Sequence, residues 1–277
     1  NLCLNGHKIT YTGNSIAINL VDNVELNVTD CIDSGMLYAE SEEDFTGEAY
    51  TGIWMSGGKF TMDSGKIYVK NTYPKANVRA IVARNGASLS LSGEAIVEAY
   101  GSGAPFGLCT GSEATINISD DAYIYAENID PSARDGRVRA VYGETGAVIN
   151  IYGSPVIEAY SPSTTNAVNA IRLNESTAVF NGTPALIANT DSGLASEVHC
   201  EKTTDLISVN CNLENDTIYR VYKPSNGVIT ASENTEYNDA SKFASAIDDY
   251  KVTKESDGQL YFVEISYYTI TAVATEG

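Results

Sequence analysis

The stretch GEAIVEAYG, Gly93–Gly101, returns sixty residues later as GSPVIEAYS, Gly153–Ser161, and a third version, GTPALIANT, spans Gly182–Thr190. Each version begins at a glycine and continues through apolar residues to a position that is acidic or apolar. An alanine follows, and after it a tyrosine or an asparagine. The intervals are too long for a hairpin and too irregular for a tandem copy. A phrase that returns in this way indicates a repeated supersecondary unit.

The repeating unit contains three short strands. The first strand includes AIVAR, Ala80–Arg84, and its apolar anchor recurs every 27 to 35 residues, at Ile18, Ile53, Ile81, Leu108, Val141, Ile171 and Val198. The second strand alternates apolar and polar residues, as at Leu89/Leu91 and Ile149/Ile151. The third strand is the phrase at Gly93–Gly101 and its copies. Alternation of period two, broken by Gly, Asn, Asp or Ser, predicts strands and tight turns.

A unit of this kind cannot bury its apolar face alone, so copies must stack on one another. The sequence therefore predicts an all-β fold, a right-handed parallel β-helix of about seven three-strand coils over residues 1–210. The variation in length falls in the connection before the first strand of each coil, in the segments 71–79, 127–139 and 161–169. Such insertions collect along one edge of a solenoid and are typical of its binding face.

Residues 211–277 follow a different pattern, and we predict a small C-terminal α+β capping segment there. NDASKFASAIDDY, residues 238–250, places Phe243, Ile247 and Tyr250 at helical spacing. A hairpin is predicted around Asp257-Gly258. A solenoid needs such a cap because its end exposes apolar core and unpaired strand edges.

The opening residues NLCLNGHKITYTG, 1–13, resemble the initial phrase of right-handed parallel β-helix proteins of the pectin-lyase-like superfamily. The final YYTITAVATEG, 267–277, is similar to the first strand of Ig-like repeats that follow β-helices in bacterial surface proteins. The resemblance implies a segment of a secreted or cell-surface bacterial protein. It also implies that a polysaccharide lies along the first strands. Because this superfold includes lyases, hydrolases and adhesins, function has to be argued from the site.

Composition limits the partners of the chain. With 17 basic and 36 acidic residues the net charge is −19, which argues against binding nucleic acid or anionic membranes. No apolar run approaches the roughly 18 residues that a membrane span needs, so no membrane insertion is expected. The five cysteines form no CxxC pair and are predicted to be packing residues. We expect a monomer without metal or cofactor, since the acidic run at Glu40, Glu42, Glu43 and Asp44 fits solvated charges better than a calcium site.

The candidate binding residues follow from alternation along the first strands. If the anchors point inward, their neighbours point outward and form a strip along the solenoid. Aromatic rings offer flat surfaces to sugars, and Arg, Asn and His can hydrogen-bond to hydroxyl groups. The ligand-binding residues predicted on this exposed strip are Trp54, Arg84, Tyr142, Arg172, Asn174 and His199. The expected partner is a polysaccharide or a host or cell-wall glycan, neutral because the chain is so acidic.

Three functions remain open on this evidence. The first is a non-catalytic, extracellular glycan-binding or adhesive module. The second is a glycoside hydrolase or polysaccharide lyase in which Glu144, Glu201 and Arg172 are catalytic, since two carboxyl groups two coils apart lie about 10 Å from each other. The third is a structural spacer. Glu98 and Glu158, around Tyr125 on the third strands, are interpreted as solvating groups.

Overall fold

The computed structural model describes residues 1–32, 34–45, 47–130, 132, 137–162, 167–191, 194–214 and 216–266. It confirms the predicted fold class, because the chain forms a parallel β-solenoid of about seven turns. None of the helices in the described part of the chain has the length and apolar character needed to cross a bilayer.

Twenty-seven strands and two 3₁₀ turns make up the described chain. The first thirteen strands are β1 (Leu2–Cys3), β2 (Lys8–Tyr11), β3 (Ile16–Leu20), β4 (Glu25–Thr29), β5 (Met36–Ser41), β6 (Tyr50–Ser56), β7 (Lys59–Met62), β8 (Lys66–Asn71), β9 (Val78–Arg84), β10 (Ser88–Leu91), β11 (Ile96–Gly101), β12 (Pro105–Thr110) and β13 (Thr115–Ile118). The others are β14 (Tyr123–Asn128), β15 (Val138–Gly143), β16 (Val148–Gly153), β17 (Val156–Ser161), β18 (Val168–Leu173), β19 (Thr177–Gly182), β20 (Ala185–Thr190), β21 (Ala195–Cys200), β22 (Leu206–Val209), β23 (Tyr219–Tyr222), β24 (Gly227–Val228), β25 (Phe243–Ser245), β26 (Tyr250–Lys254) and β27 (Leu260–Glu264).

The solenoid strands form three parallel sheets, one for each strand of the repeating unit. Sheet A follows the order β1-β4-β7-β10-β13-β16-β19-β22, and sheet B the order β2-β5-β8-β11-β14-β17-β20. Sheet C has nine strands in the order β3-β6-β9-β12-β15-β18-β21-β23-β25. From β1 to β22, each strand therefore pairs with the third strand along the sequence, whereas sheet C continues from β21 to β23 and β25.

The predicted anchors stand in register along sheet C. Ile81 pairs with Ile53 on one side and with Leu108 on the other, and the ladder continues through Val141, Ile171 and Val198. These six side chains are at most 1% exposed. In sheet A, Leu89 aligns with Ile116 and Ile149, and Leu91 aligns with Ile118 and Ile151. The core is a set of aliphatic ladders that run along the solenoid.

The turn between sheets A and B requires glycine at Gly93, in the phrase that revealed the repeat. Its φ is +54°, and a Cβ atom there would lie 2.4 Å from the carbonyl oxygen of Asp63 in the preceding coil. A side chain would therefore meet both backbone strain and a steric clash.

Sheet C contains a bend that alternation did not predict. A small residue lies just before six of the seven anchors, at Ala17, Gly52, Ala80, Gly107, Ala140 and Ala170, whereas Glu197 precedes Val198. Phe106 pairs with Arg139 and Leu108 with Val141, but Gly107 is skipped in the ladder. A Cβ on Gly107 would lie 2.7 Å from Cγ2 of Ile124, a core residue. Two successive residues thus face the core, and the residue before them faces outward.

The C-terminal segment differs from the prediction in one element. Within the described residues 216–266, the helix expected around Phe243 and Ile247 is absent. Two 3₁₀ turns, Thr235–Tyr237 and Ala240–Lys242, lead into β25, in which Phe243 pairs with Tyr219 and extends sheet C. Pairing with an open sheet edge outweighs a weak helical pattern.

The predicted hairpin is confirmed, because β26 and β27 pair antiparallel from Lys254 opposite Leu260 to Tyr250 opposite Glu264. β24 joins them in a small separate sheet. The final residues 267–277, which carry the Ig-like resemblance, lie outside the described residues.

The five cysteines differ in burial, and Cys211 is half-buried against the core. Cys109 and Cys200 are buried and pack as predicted. Cys3 and Cys31 are exposed instead, and their Sγ atoms lie 2.8 Å apart. The two thiols lie close together because Cys3 is in β1 and Cys31 follows β4, the strand that pairs with β1 in sheet A.

Candidate functional site

The predicted site residues lie together on the outer face of sheet C. Trp54, Val82, Cys109, Tyr142, Arg172 and His199 occupy successive paired positions of the ladder from β6 to β21. Arg84 ends β9, while Glu144, Asn174 and Glu201 come directly after β15, β18 and β21. The repeat in the sequence therefore places these side chains in two adjoining columns, as predicted.

The expectation that this strip is exposed as a whole is wrong. Tyr142 and Arg172 are each only 8% exposed, and Val82 and Cys109 between Trp54 and Tyr142 are buried. They are covered because the side chains on this face pack against one another. Six predicted residues are half-buried: Trp54, Arg84, Glu144, Asn174, His199 and Glu201. Parts of the segments expected to wall a groove, 131, 133–136 and 163–166, lie outside the described residues.

A third column on the same face was missed by the sequence interpretation. It consists of the residues displaced outward by the bend: Thr51, Arg79, Phe106, Arg139 and Asn169, which pair in register. Strict alternation assigned these positions to the core. The signal that could have identified them is the small residue, glycine or alanine, that stands immediately before six of the seven anchors.

Arginines and aromatic rings interleave across these columns. The guanidinium of Arg84 lies 4.8 Å from the centre of the Trp54 ring. Arg139 lies 4.7 Å from the ring centre of Phe106 and 4.2 Å from that of Tyr142. Such contacts stabilise a cation over the negative face of an aromatic ring. They also occupy ring surface that the sequence interpretation assigned to a sugar.

Two glutamates pair with arginines of this face. Glu201 accepts a hydrogen bond from Nε of Arg172 at 3.0 Å, and the same carboxylate oxygen lies 3.0 Å from Nη2 in an ion pair. Glu48 lies 3.2 Å from Arg79 and 3.7 Å from Arg84. Burial opposes ionisation of Glu201, but the hydrogen bond and charge of Arg172 outweigh it, so the pKa of Glu201 falls below its usual range. Glu201 is therefore ionised, and Arg172 links the ends of two neighbouring strands to each other.

The catalytic alternative gains no geometric support from these contacts. Glycoside hydrolysis requires one carboxyl group that holds a proton. An ionised Glu201 fits a nucleophile or a base but not that acid. For Glu144, no described residue donates a hydrogen bond to the side-chain carboxylate, although its backbone N–H donates to Oγ1 of Thr110 at 2.8 Å.

His199 is held in its neutral form. Burial, assisted by the nearby charge of Arg172, lowers its pKa to about 3. Its ring stacks on Tyr222 of β23 with ring centres 4.4 Å apart. At neutral pH the imidazole presents one donor and one acceptor rather than a positive charge.

Unpaired buried polar atoms are concentrated on this face. Among the described residues, six buried side-chain nitrogen or oxygen atoms have no hydrogen-bond partner. Only Tyr50 Oη lies elsewhere, in the core cluster. The other five all belong to the outer face of sheet C: Nε of Arg79, Arg84 and Arg139, and Oδ1 of Asn169 and Asn174.

The outer face of sheet B has a different character. The rings of Tyr38, Tyr68, Tyr100 and Tyr125 follow one another at centre distances of 5.0, 5.1 and 5.6 Å. The rings of Tyr38 and Tyr68 are stacked, with 5° between their planes, whereas the two later contacts are tilted at 36° and 57°. The row stabilises the stacking of the coils.

The interpretation of Glu98 and Glu158 as solvating groups is wrong for Glu98, which is only 8% exposed. Glu98 accepts a hydrogen bond from Tyr100 at 3.0 Å and pairs with Lys66 at 2.7 Å. Glu158 is half-buried and accepts from Tyr123 at 2.8 Å. Glu98 therefore holds Tyr100 of the row directly, and Glu158 holds Tyr123, whose ring stacks on Tyr125 of the row at a centre distance of 6.0 Å.

The acidic residues considered as a calcium site, Glu40 and residues 42–44, do not all lie in the same element. Glu40 pairs with Lys70 at 3.0 Å in sheet B, whereas Glu42, Glu43 and Asp44 follow β5 in the loop. No group of three or more His, Cys, Asp or Glu side chains within the described ranges is arranged to hold a metal ion.

Comparison of the chain with protein-family models, with curated proteins and with solved structures finds no match. The outer face of sheet C therefore has to be interpreted from its own chemistry.

Proposed function

We propose that the chain is a non-catalytic glycan-binding or adhesive module of a bacterial cell-surface or secreted protein. Its scaffold in this proposal is a right-handed parallel β-helix of the pectin-lyase-like kind, and its ligand lies on the outer face of sheet C. The observation that supports the proposal is the set of five unpaired buried polar atoms on that face.

An unpaired buried donor or acceptor costs about 1–3 kcal/mol, so five of them on one face need partners. Both kinds of atom occur there, since each arginine Nε donates a hydrogen bond and each asparagine Oδ1 accepts one. A hydroxyl group can do both. A sugar, with several hydroxyls on a compact ring, matches this mixture better than a ligand that only accepts or only donates.

The half-buried residues provide the contact surface for such a ligand. Trp54, Asn174 and His199 are accessible in part. Asn174 and His199 belong to neighbouring coils, and Trp54 lies four coils from Asn174, which is roughly 19 Å at about 4.8 Å per coil. The columns run along the solenoid, so a ligand that follows them spans several coils. An extended oligosaccharide has that shape.

The test is a glycan array with matched variants of the purified chain. We expect the wild-type chain to bind at least one glycan and Trp54→Ala to weaken that binding about tenfold, or about 1.4 kcal/mol, because the only tryptophan is lost from the face. Tyr152→Ala is the control, since Tyr152 is 43% exposed at the end of a sheet A strand and should bind as the wild type does. Equal binding by the Trp54 variant would exclude this face as the site. No glycan bound at all would leave the spacer as the better account.

A further inference from the structure

Most of the arginines of this chain lie in one of the three sheets. Five of the seven lie in strands of sheet C: Arg79, Arg84, Arg139, Arg172 and Arg220. The other two, Arg134 and Arg137, come just before β15 in the sequence. The strands of sheets A and B contain lysine but no arginine. Arg220 pairs with Glu197 and donates to the carbonyl of Ala188 in sheet B, but the other four share the outer face of sheet C, in a chain with net charge −19.

Arg139 stands out among them because no carboxylate of the described residues pairs with its charge. It is 3% exposed, and none of the ion pairs or hydrogen bonds formed by the described residues includes its side chain. The nearby carboxylates are engaged elsewhere, Glu48 with Arg79 and Arg84, and Glu201 with Arg172. Burial, followed by the repulsion of Arg172, lowers the pKa of Arg139 to about 10.

A buried charge without a partner strongly destabilises the folded state. An apolar side chain of similar size would fill the same space without that cost. The rings of Phe106 and Tyr142 hold the guanidinium in a fixed position. A guanidinium presents parallel N–H donors that match the oxygen atoms of a carboxylate or sulfate group in a bidentate contact. Arg139 is therefore a cation in a fixed position, and no carboxylate of the described residues pairs with it.

We propose that Arg139 forms an anion subsite on the outer face of sheet C, and that the ligand of this face is an acidic glycan with carboxylate or sulfate groups. This inference rests on the proposed glycan-binding function and replaces the expectation of a neutral glycan. That expectation considered the total charge of the chain. At contact distance the local charges decide, because salt screens more distant ones beyond about 8 Å.

The test uses acidic polysaccharides, each immobilised beside its own carboxyl-reduced or desulfated form. We expect the wild-type chain to bind the acidic form and to lose at least tenfold in affinity for the neutralised one, the loss expected when a charge-assisted hydrogen bond is removed. Carboxyl reduction and desulfation identify which of the two anionic groups the site accepts. Arg139→Met should lose the preference for the acidic form, and Arg139→Lys should keep part of it.

Thermal stability separates a binding role from a structural one. Arg139→Met removes an uncompensated buried charge but keeps most of the side-chain volume, so we expect its Tm to equal or exceed that of the wild type. A marked fall in Tm would show that Arg139 is there for packing and would overturn the anion subsite. Equal binding of the acidic and neutralised forms, or binding of the neutralised form alone, would also overturn it while leaving glycan binding intact. Failure to bind any polysaccharide would overturn both proposals.

Discussion

Ile149→Asp is expected to abolish the folded state of the solenoid. Ile149 is fully buried in sheet A, where it lies in the ladder between Ile116 and Ala178. An aspartate there would place a carboxylate in an aliphatic environment with no partner, at a cost of several kcal/mol. That cost is a large part of the total stability of about 5–15 kcal/mol that is usual for folded domains. Circular dichroism and thermal melting of the purified variant measure the effect.

The matched control is Val148→Asp in the same strand. Val148 is the half-buried outward neighbour of Ile149, so its aspartate can reach solvent and should change the Tm only slightly. Similar melting curves for the two variants would show that the two side chains do not lie on opposite faces of sheet A, and the assigned register would be wrong.

Tyr142→Ala is expected to destabilise the chain by about 3 kcal/mol, as truncation of a large buried aromatic residue usually does. The ring of Tyr142 packs against Phe106 at a centre distance of 5.6 Å and contacts the guanidinium of Arg139. Its removal leaves a cavity on the outer face of sheet C. Chemical denaturation, with the midpoint and slope compared with those of the wild type, measures the loss.

Tyr142→Phe is the control for this prediction. It keeps the ring and removes only the hydrogen bond that Asn174 Nδ2 donates to the phenolic oxygen at 3.3 Å. The expected cost is about 1 kcal/mol or less. If Tyr142→Ala proved as stable as the wild type, the ring would be an exposed one after all, as strict alternation along β15 first indicated.

The fold could be predicted from sequence because each coil repeats the same physical constraints. The same turn requires a positive φ at Gly93, Asp120 and Gly153 in successive coils, and a shift of one residue in register would expose every buried side chain of a strand. Anchors such as Ile81 and Leu108 are therefore identifiable without any structure. The sequence also predicted that Trp54 and Tyr142 share a face with Arg172, because that follows from the same register.

The burial of the side chains on that face could not be predicted in the same way. Alternation gives the direction of a side chain but not what covers it, so the burial of Tyr142 by Phe106 and Arg139 was not foreseen. The outward position of Arg139 depends on the bend at Ala140, where two successive residues face the core. At the C-terminal end, Phe243 joins an open sheet edge rather than a helix, since only the fold reveals that the edge is there.

The most direct test of the account is hydrogen–deuterium exchange with and without the glycan that the array identifies. The central claim is that the ligand lies on the outer face of sheet C. It predicts that the glycan increases protection in peptides containing β9, β12, β15 and β18, with little change in the strands of sheets A and B. Protection confined to the tyrosine row of sheet B, or to sheet A, would contradict the claim.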